Sequence, residues 1–256
     1  MKKSLLLIIA DDLYFQSSFL KKFSEQIGNT EYFIKDIVIL KSDYKNSSQQ
    51  YLLNNFFKLK FTELFKLSIL KFFPKIINCF LNEICINISI NKISKNFKYN
   101  LIKYSNLNNK NLTNLIKKKN YNYIINTASQ IYKGNLIKAY NNKIINVHLS
   151  LLPKYAGVWT MFQQMSNNEK YTGVTIHKIN SKIDSGDMIL QKKIFLNKDS
   201  SLFENQLKCY KQVPILLIKC LQKNFKSIKK LKTTKIYKFP NDDDWKNFRY
   251  YKKKII

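Results

Sequence analysis

An amide and an imidazole two residues apart at the end of an apolar run can act on the same atom. In I-I-N-V-H-L-S-L-L-P-K-Y-A-G, residues 144–157, Asn146 and His148 stand in that relation. Side chains alternate along an extended chain, so both belong to one side of a strand. The pair suits acyl transfer, which needs donors for a developing oxyanion and a group that carries a proton. A histidine at a strand end is equally at home as a hydrogen-bonded structural residue, and the pair alone does not separate the two readings. A second segment, T-G-V-T-I-H-K-I-N-S-K-I-D-S-G-D-M-I-L, delivers Asp184 in a tight turn, 36 positions after His148. A carboxylate there can orient the imidazole and raise its basicity. Asp before Ser-Gly is also an ordinary turn former. His177 reads as a structural residue at the polar end of a strand. Tyr155 and Trp159 either flank a substrate entrance or pack as aromatic side chains do.

These residues need a scaffold, and the pattern around them alternates strand and helix. Ser4–Ala10, Ile34–Leu40, Tyr121–Thr127, Ile144–His148, Gly173–His177 and Met188–Phe195 read as short β-rich runs. Phe15–Ile27 reads as a helix with Phe19, Phe23 and Ile27 along one face. Leu202–Leu221 is helical in pattern, with Pro214 set to kink or divide it. The alternation predicts an α/β fold: a Rossmann-like, mostly parallel sheet with helices on both faces. Sites on such sheets sit at the carboxyl ends of the strands, where His148 falls. Residues 50–90, rich in Phe, Leu, Ile and Lys, predict a helical insertion that packs on the sheet; an amphipathic membrane-surface helix is the rival reading. After Thr234 the pattern gives an extended arm, an acidic cap at Asn241–Asp244 and a short helix. The expected division is a main domain over 1–225 and a carboxy-terminal extension over 226–256 that packs on it.

Composition bounds the rest. The chain has 256 residues and a formal net charge of +29. Such a charge fits an anionic partner such as nucleic acid, a nucleotide-linked substrate or a membrane surface. The lysines run from Lys2 to Lys254 without gathering in one patch, and Lys, Asn and Ile dominate throughout, so compositional drift explains the charge as well. Four cysteines, Cys79, Cys85, Cys209 and Cys220, lack metal-finger spacing and suit buried, reduced packing in a cytosol. With two histidines, a zinc site would have to borrow carboxylates or scattered thiols, and no metal is expected. The opening MKKSLLLIIADD imitates a secretion signal, but its apolar run stops at Asp11 and predicts a first strand instead. No uncharged stretch is long enough to span a bilayer.

Three ordered motifs, N-V-H-L-S-L-L-P-K-Y-A-G, T-G-V-T-I-H and I-D-S-G, resemble the folate-dependent formyltransferase family. That family includes methionyl-tRNA, glycinamide ribonucleotide and sugar N-formyltransferases. The resemblance is strong from Tyr121 to Ile194 and extends to the first forty residues as a fold. It implies a catalytic trio of Asn146, His148 and Asp184 and 10-formyltetrahydrofolate as co-substrate. It places Ser150, Leu151, Leu152 and Pro153 on the folate side of a cleft. The loop Thr127–Tyr132, with Gln130 and Ile131, and the turn with Ser185, Gly186 and Asp187 are implied to wrap the pterin ring. In the implied mechanism Asn146 and a protonated His148 hold the oxyanion while Asp184 takes up the amine proton. The implied acceptor is a small-molecule amine, with a nucleotide-linked amino sugar as one class. Methionyl-tRNA is the alternative, and a formyltetrahydrofolate hydrolase or a non-catalytic folate-binding homologue the next. Leu149 stands where the family pattern has Pro, and Ala156 where it has Arg. A-D-D-L-Y-F-Q lacks the glycine-rich phosphate loop of the purine enzymes, which argues against that acceptor. The chain is also expected to have no room for the barrel-like second domain of the tRNA enzymes. A cytoplasmic location follows from the resemblance.

Overall fold

Apolar runs unbroken by polar residues fold as strands covered on both faces. The computed structural model describes residues 2–12, 15–41, 50–51, 54–72, 89–140, 142–233 and 235–256. In chain order the elements are β1 (Lys3–Ala10), α1 (Phe15–Ile27), β2 (Tyr32–Leu40), α2 (Phe61–Phe72), α3 (Ile90–Asn96), β3 (Asn100–Tyr104) and α4 (Lys110–Lys119). There follow β4 (Tyr123–Asn126), α5 (Gly134–Ala139), β5 (Ile144–His148), β6 (Ala156–Gly157), α6 (Thr160–Ser166) and β7 (Tyr171–Lys178). The series ends with β8 (Met188–Phe195), α7 (Leu202–Tyr210), α8 (Val213–Gln222), β9 (Ile236–Tyr237) and α9 (Asp242–Tyr250). Seven strands form one sheet in the order β3-β2-β1-β4-β5-β7-β8. The first five are parallel, and β7 and β8 join antiparallel.

The strands alternate between two apolar clusters. Leu5, Leu7, Ile9, Ile125, Ile145 and Ile176 face a core closed by Phe19 and Phe23 of α1 and by Leu217 and Leu221 of α8. Leu6, Ile8, Ile124 and Ile144 face a smaller one with Leu112 and Ile116 of α4 and Leu136 of α5. Each fully buried side chain of this size contributes about 1.5–3 kcal/mol. The expected helix Leu202–Leu221 is divided into α7 and α8. Pro214 sits in the first turn of α8, where its missing N–H leaves no bond unmade. Burial pushes the thiols of Cys209 and Cys220 up to about 12, so both stay protonated.

Within the insertion, Leu64 and Leu67 of α2 pack against the larger core while Phe61 and Phe65 stand exposed. The packing expected there therefore holds for one side of α2 only; residues 73–88, with Cys79 and Cys85, lie outside the described residues. Among the described residues no helix is long and apolar enough to cross a membrane.

The carboxy-terminal arm returns to the sheet domain. β9 pairs in parallel with β6. α9 begins with a reciprocal cap between Asn241 and Asp244. Its Phe248 stacks on Phe162 of α6 with centroids 4.3 Å apart. Arg249, the chain's one arginine, grips buried Glu63 through two bonds of 2.6 and 3.0 Å. Burial would raise the Glu63 pKa, but Arg249 and the amides of Ile255 and Lys60 outweigh it and keep the carboxylate ionised.

Candidate active site

Three neighbouring strands carry a polar row across the sheet. Asn126 is the last residue of β4 and pairs in register with Asn146 of β5, which pairs with His177 of β7. Register partners share a face, so the three side chains meet. Asn126 Nδ2 donates to Asn146 Oδ1 at 2.7 Å and to the Ala128 carbonyl at 2.8 Å. Asn146 Nδ2 lies 3.2 Å from His177 Nε2, and His177 Nδ1 lies 2.9 Å from the Lys178 carbonyl. A carbonyl only accepts, so His177 carries its proton on Nδ1 and offers the Nε2 lone pair to Asn146. Two residues beyond Asn146, His148 closes β5 on the same face.

Asp184 comes to this row from the turn between β7 and β8. It adopts a left-handed conformation, φ 47°, unusual for a side-chain-bearing residue. Its Oδ2 accepts from the Gly157 amide at 2.8 Å and lies 3.5 Å from His148 Nδ1, while its Oδ1 lies 3.6 Å from His177 Nε2. Thr233 of the arm donates to the Asp184 carbonyl at 2.8 Å. Burial alone would raise the carboxyl pKa. The nearby His148 charge and the Gly157 amide outweigh it and bring the pKa to about 2. Gly157 is itself constrained: at φ +105° a Cβ would meet the Tyr237 carbonyl oxygen at 2.1 Å.

His148 is buried, with Nε2 2.7 Å from the Tyr155 carbonyl. The same carbonyl accepts from Ser150 Oγ at 2.6 Å. Burial lowers the His148 pKa and prevails over the opposing pull of Asp184 and Tyr155. That direction runs against the protonated ring implied by the resemblance; the free protein holds a neutral Nε2–H ring at neutral pH.

The other sequence-predicted residues divide by exposure. Ile131 is 61% exposed, Pro153 is exposed, and Leu151, Ser185 and Asp187 are half-buried, so each can reach a ligand. Ser150 and Leu152 are buried, and Ser150 holds the Tyr155 carbonyl. Gln130 braces its own loop, with Oε1 accepting from the Leu107 amide and Nε2 donating to the Ser105 carbonyl. Gly186 permits a close approach: a Cβ there would lie 1.8 Å from the Lys178 carbonyl oxygen. Ser150, Leu152 and Gln130 are thus held within the protein's own loops, while Ile131, Leu151 and Pro153 keep apolar surface accessible. Tyr155 is buried, with its hydroxyl on Glu169 at 2.8 Å. Trp159 packs beside Tyr51 and Phe239 at centroid distances of 4.9 and 6.1 Å.

His177 and Asn126 went unrecognised in the sequence as site residues. The repeated Ile-Ile-Asn of β4 and β5 was the available signal for Asn126. His177 needed the antiparallel register of β7 against β5, which no local pattern carries.

Comparison with known proteins bears on this geometry. The family described as formyl transferase matches residues 87–220. The methionyl-tRNA formyltransferase of Finegoldia magna is 31% identical over 117 residues, 45% of this chain and 38% of that protein. The phosphoribosylglycinamide formyltransferase of Bacillus subtilis is 37% identical over 67 residues, 26% of this chain and 34% of that protein. Both matches span less than half of the curated relative. Among solved structures, the phosphoribosylglycinamide formyltransferase from Bacillus Halodurans superposes with a TM-score of 0.60 at 16% identity, over 86% of this chain and 94% of that one. WlaRD, a sugar 3N-formyl transferase solved with dTdp and 5-N-Formyl-THF, gives a TM-score of 0.55 at 17% identity, over 93% of this chain and 70% of that one. At these identities the structural likeness is one of fold.

Proposed function

The chain belongs to the formyl transferase family, and on that premise we propose that it moves a formyl group from 10-formyltetrahydrofolate to an amine. The observation that carries the reading is the Asp184 carboxylate, 3.5 Å from His148 and 3.6 Å from His177, the ring that holds the Asn146 amide. In this proposal the amine nitrogen attacks the formyl carbon, and the oxyanion accepts from Asn146 Nδ2–H and His148 Nε2–H. Asp184 stays ionised and steadies the positive charge on the attacking nitrogen. The amine proton passes by way of His148 Nδ1, beside that carboxylate, to N10 of the departing tetrahydrofolate. The Tyr155 carbonyl keeps its Ser150 donor when His148 turns to the substrate. Ile131, Leu151, Pro153, Ser185 and Asp187 would contact the pterin, with Gln130, Ser150, Leu152 and Gly186 setting their backbone. Residues 1–225 form the catalytic unit in this reading, and 226–256 clasp it. A cytosolic setting suits the buried thiols of Cys209 and Cys220.

The acceptor we propose is a small amine, with a nucleotide-linked amino sugar first. The aromatic group of Tyr51 from the start of the insertion, Trp159 after Gly157 and Phe239 of the arm supports a planar, base-bearing ligand. Likeness in fold to a sugar 3N-formyl transferase over 93% of the chain supports the same class. Methionyl-tRNA is the second reading, favoured by the 31% identity to such an enzyme and by the net charge of +29. Protein, formyl-folate and each candidate amine are mixed and tetrahydrofolate release is followed. Turnover with a sugar nucleotide amine is expected. Turnover with methionyl-tRNA that weakens steeply with salt would transfer the assignment. Formate released without any amine would make the protein a hydrolase, and absence of formyl-folate binding by calorimetry would end the proposal.

A further inference from the structure

We infer that Asn126 and His177 are positioning residues that fix which face of the Asn146 amide meets the substrate. The inference rests on the proposed formyl transfer and deepens it. An asparagine amide has two orientations that fill the same space, with donor and acceptor exchanged. Only one presents N–H toward an oxyanion from a given side. Here the orientation is determined from both ends of the polar row. The Ala128 carbonyl requires a donor, so Asn126 turns Nδ2 toward it, 2.8 Å away. That same Nδ2 faces Asn146 at 2.7 Å and requires an acceptor, which sets Oδ1 of Asn146 on the β4 side. Nδ2 of Asn146 is thereby directed to His177, whose Nε2 accepts because Nδ1 donates to the Lys178 carbonyl. Two backbone carbonyls thus terminate a row of side-chain bonds with a single direction. One N–H of Asn146 is held by His177, and the other has no partner among the described residues, which leaves it for the formyl oxygen.

Burial makes the row rigid. Asn126 is 2% exposed and His177 1% exposed, so water does not compete for their groups. Asn126 Oδ1 meets no donor among the described residues. A side chain selected only for packing would be apolar, like Ile124 and Ile125 beside it. Retaining a half-satisfied buried amide has a reason if its Nδ2 orients a neighbour. Within the trio neither His148 nor Asp184 bonds the Asn146 amide; Asp184 meets the row at His177, with Oδ1 3.6 Å from Nε2.

The test compares four variants with the wild type, using formyl-folate and the amine found to support turnover. Asn126→Leu and His177→Leu are expected to lower kcat on the order of 10- to 100-fold with formyl-folate KM within about twofold. His177→Gln, whose Oε1 can accept where Nε2 does, is expected to stay within about fivefold of wild type. Asn126→Asp keeps the shape but removes the donor, and is expected to lose kcat as His177→Leu does; it replaces Asn126→Leu should that variant not fold. A nitrogen-15 spectrum gives a readout independent of turnover, with the Asn146 side-chain amide assigned by its loss in Asn146→Asp. Its resonances should shift in Asn126→Asp and His177→Leu and stay in place in His177→Gln. Wild-type kcat in His177→Leu, equal losses in His177→Gln and His177→Leu, or unmoved amide resonances in every variant would overturn the inference. A wild type without turnover counts against the proposed reaction alone, and the spectrum still decides this point.

Discussion

On one face of β4, β5 and β7, Ile125, Ile145 and Ile176 belong to the core that α1 and α8 close. One residue further along each strand, Asn126, Asn146 and His177 turn to the opposite face and bond to one another. Backbone, register and strand order are common to both faces, and only the parity of the position differs. The apolar face stabilises the fold by removing hydrocarbon from water. The polar face draws that stability down, since a buried polar atom without a partner costs about 1–3 kcal/mol and Asn126 Oδ1 is one. A site of this kind is affordable only on the reverse of a sealed core.

The comparison breaks if the two faces do not separate stability from chemistry. Ile145→Ala should have the largest effect, a loss of about 2–5 kcal/mol in denaturant unfolding. Its kcat per folded molecule should remain near that of the wild type. Asn146→Ala should do the reverse. Removing one oxyanion donor raises the barrier by about 3 kcal/mol, seen as a kcat lower by 10²–10³, with a stability loss smaller than that of Ile145→Ala, from His177 left without its donor. If Asn146→Ala unfolds the protein, or Ile145→Ala abolishes turnover in the folded fraction, the division fails.

Acid sharpens the same contrast with a smaller effect. Asp184 has a carboxyl pKa of about 2 in place of 3.8. It therefore stabilises the fold above pH 3.8, by about 2 kcal/mol, and that contribution disappears as the pH falls toward 2. His148 acts earlier. Its lowered pKa means the unfolded chain takes up the proton first, so stability starts to decline below its unperturbed value of 6.5. Unfolding curves at pH 8, 5 and 3 should decline in these two stages, and His148→Gln should erase the first. Ser150→Ala should give the smallest change. Losing its bond to the Tyr155 carbonyl costs about 1 kcal/mol in stability. Turnover should fall only modestly, because His148 would then leave that carbonyl bare each time it turned to substrate.

Much of the scaffold was legible because it obeys local rules. β5, β8 and α1 have the expected bounds, Pro214 divides the α7–α8 stretch, and Asn241 caps α9 where the acidic run placed it. β3, half exposed, and α5 and α6, of 6 and 7 residues, carry too little periodicity to stand out. At the site, Asn146 and His148 were legible by their spacing in one strand. The relation of His177 to Asn146 depends on an antiparallel pairing between segments 31 positions apart, and alternation reports a face without saying which neighbour shares it. The charge of His148 was not legible either. Burial decides it, and burial is a property of the assembled loops.

The Gly157–Tyr237 pairing has a consequence for how the protein matures. Asp184 is held by the Gly157 amide, which lies under β9, and by Thr233 within the arm. The arm in turn is fastened by Glu63 to Arg249 and the Ile255 amide. A ribosome that has synthesised everything through Gln222 has made every strand of the main sheet, the helices that close its core and all of the trio, yet the aspartate still lacks Thr233 and Gly157 still lacks its β9 partner. Competence therefore arrives late in synthesis, after the sheet can already form, and a nascent chain passes through an interval in which it is folded but not armed.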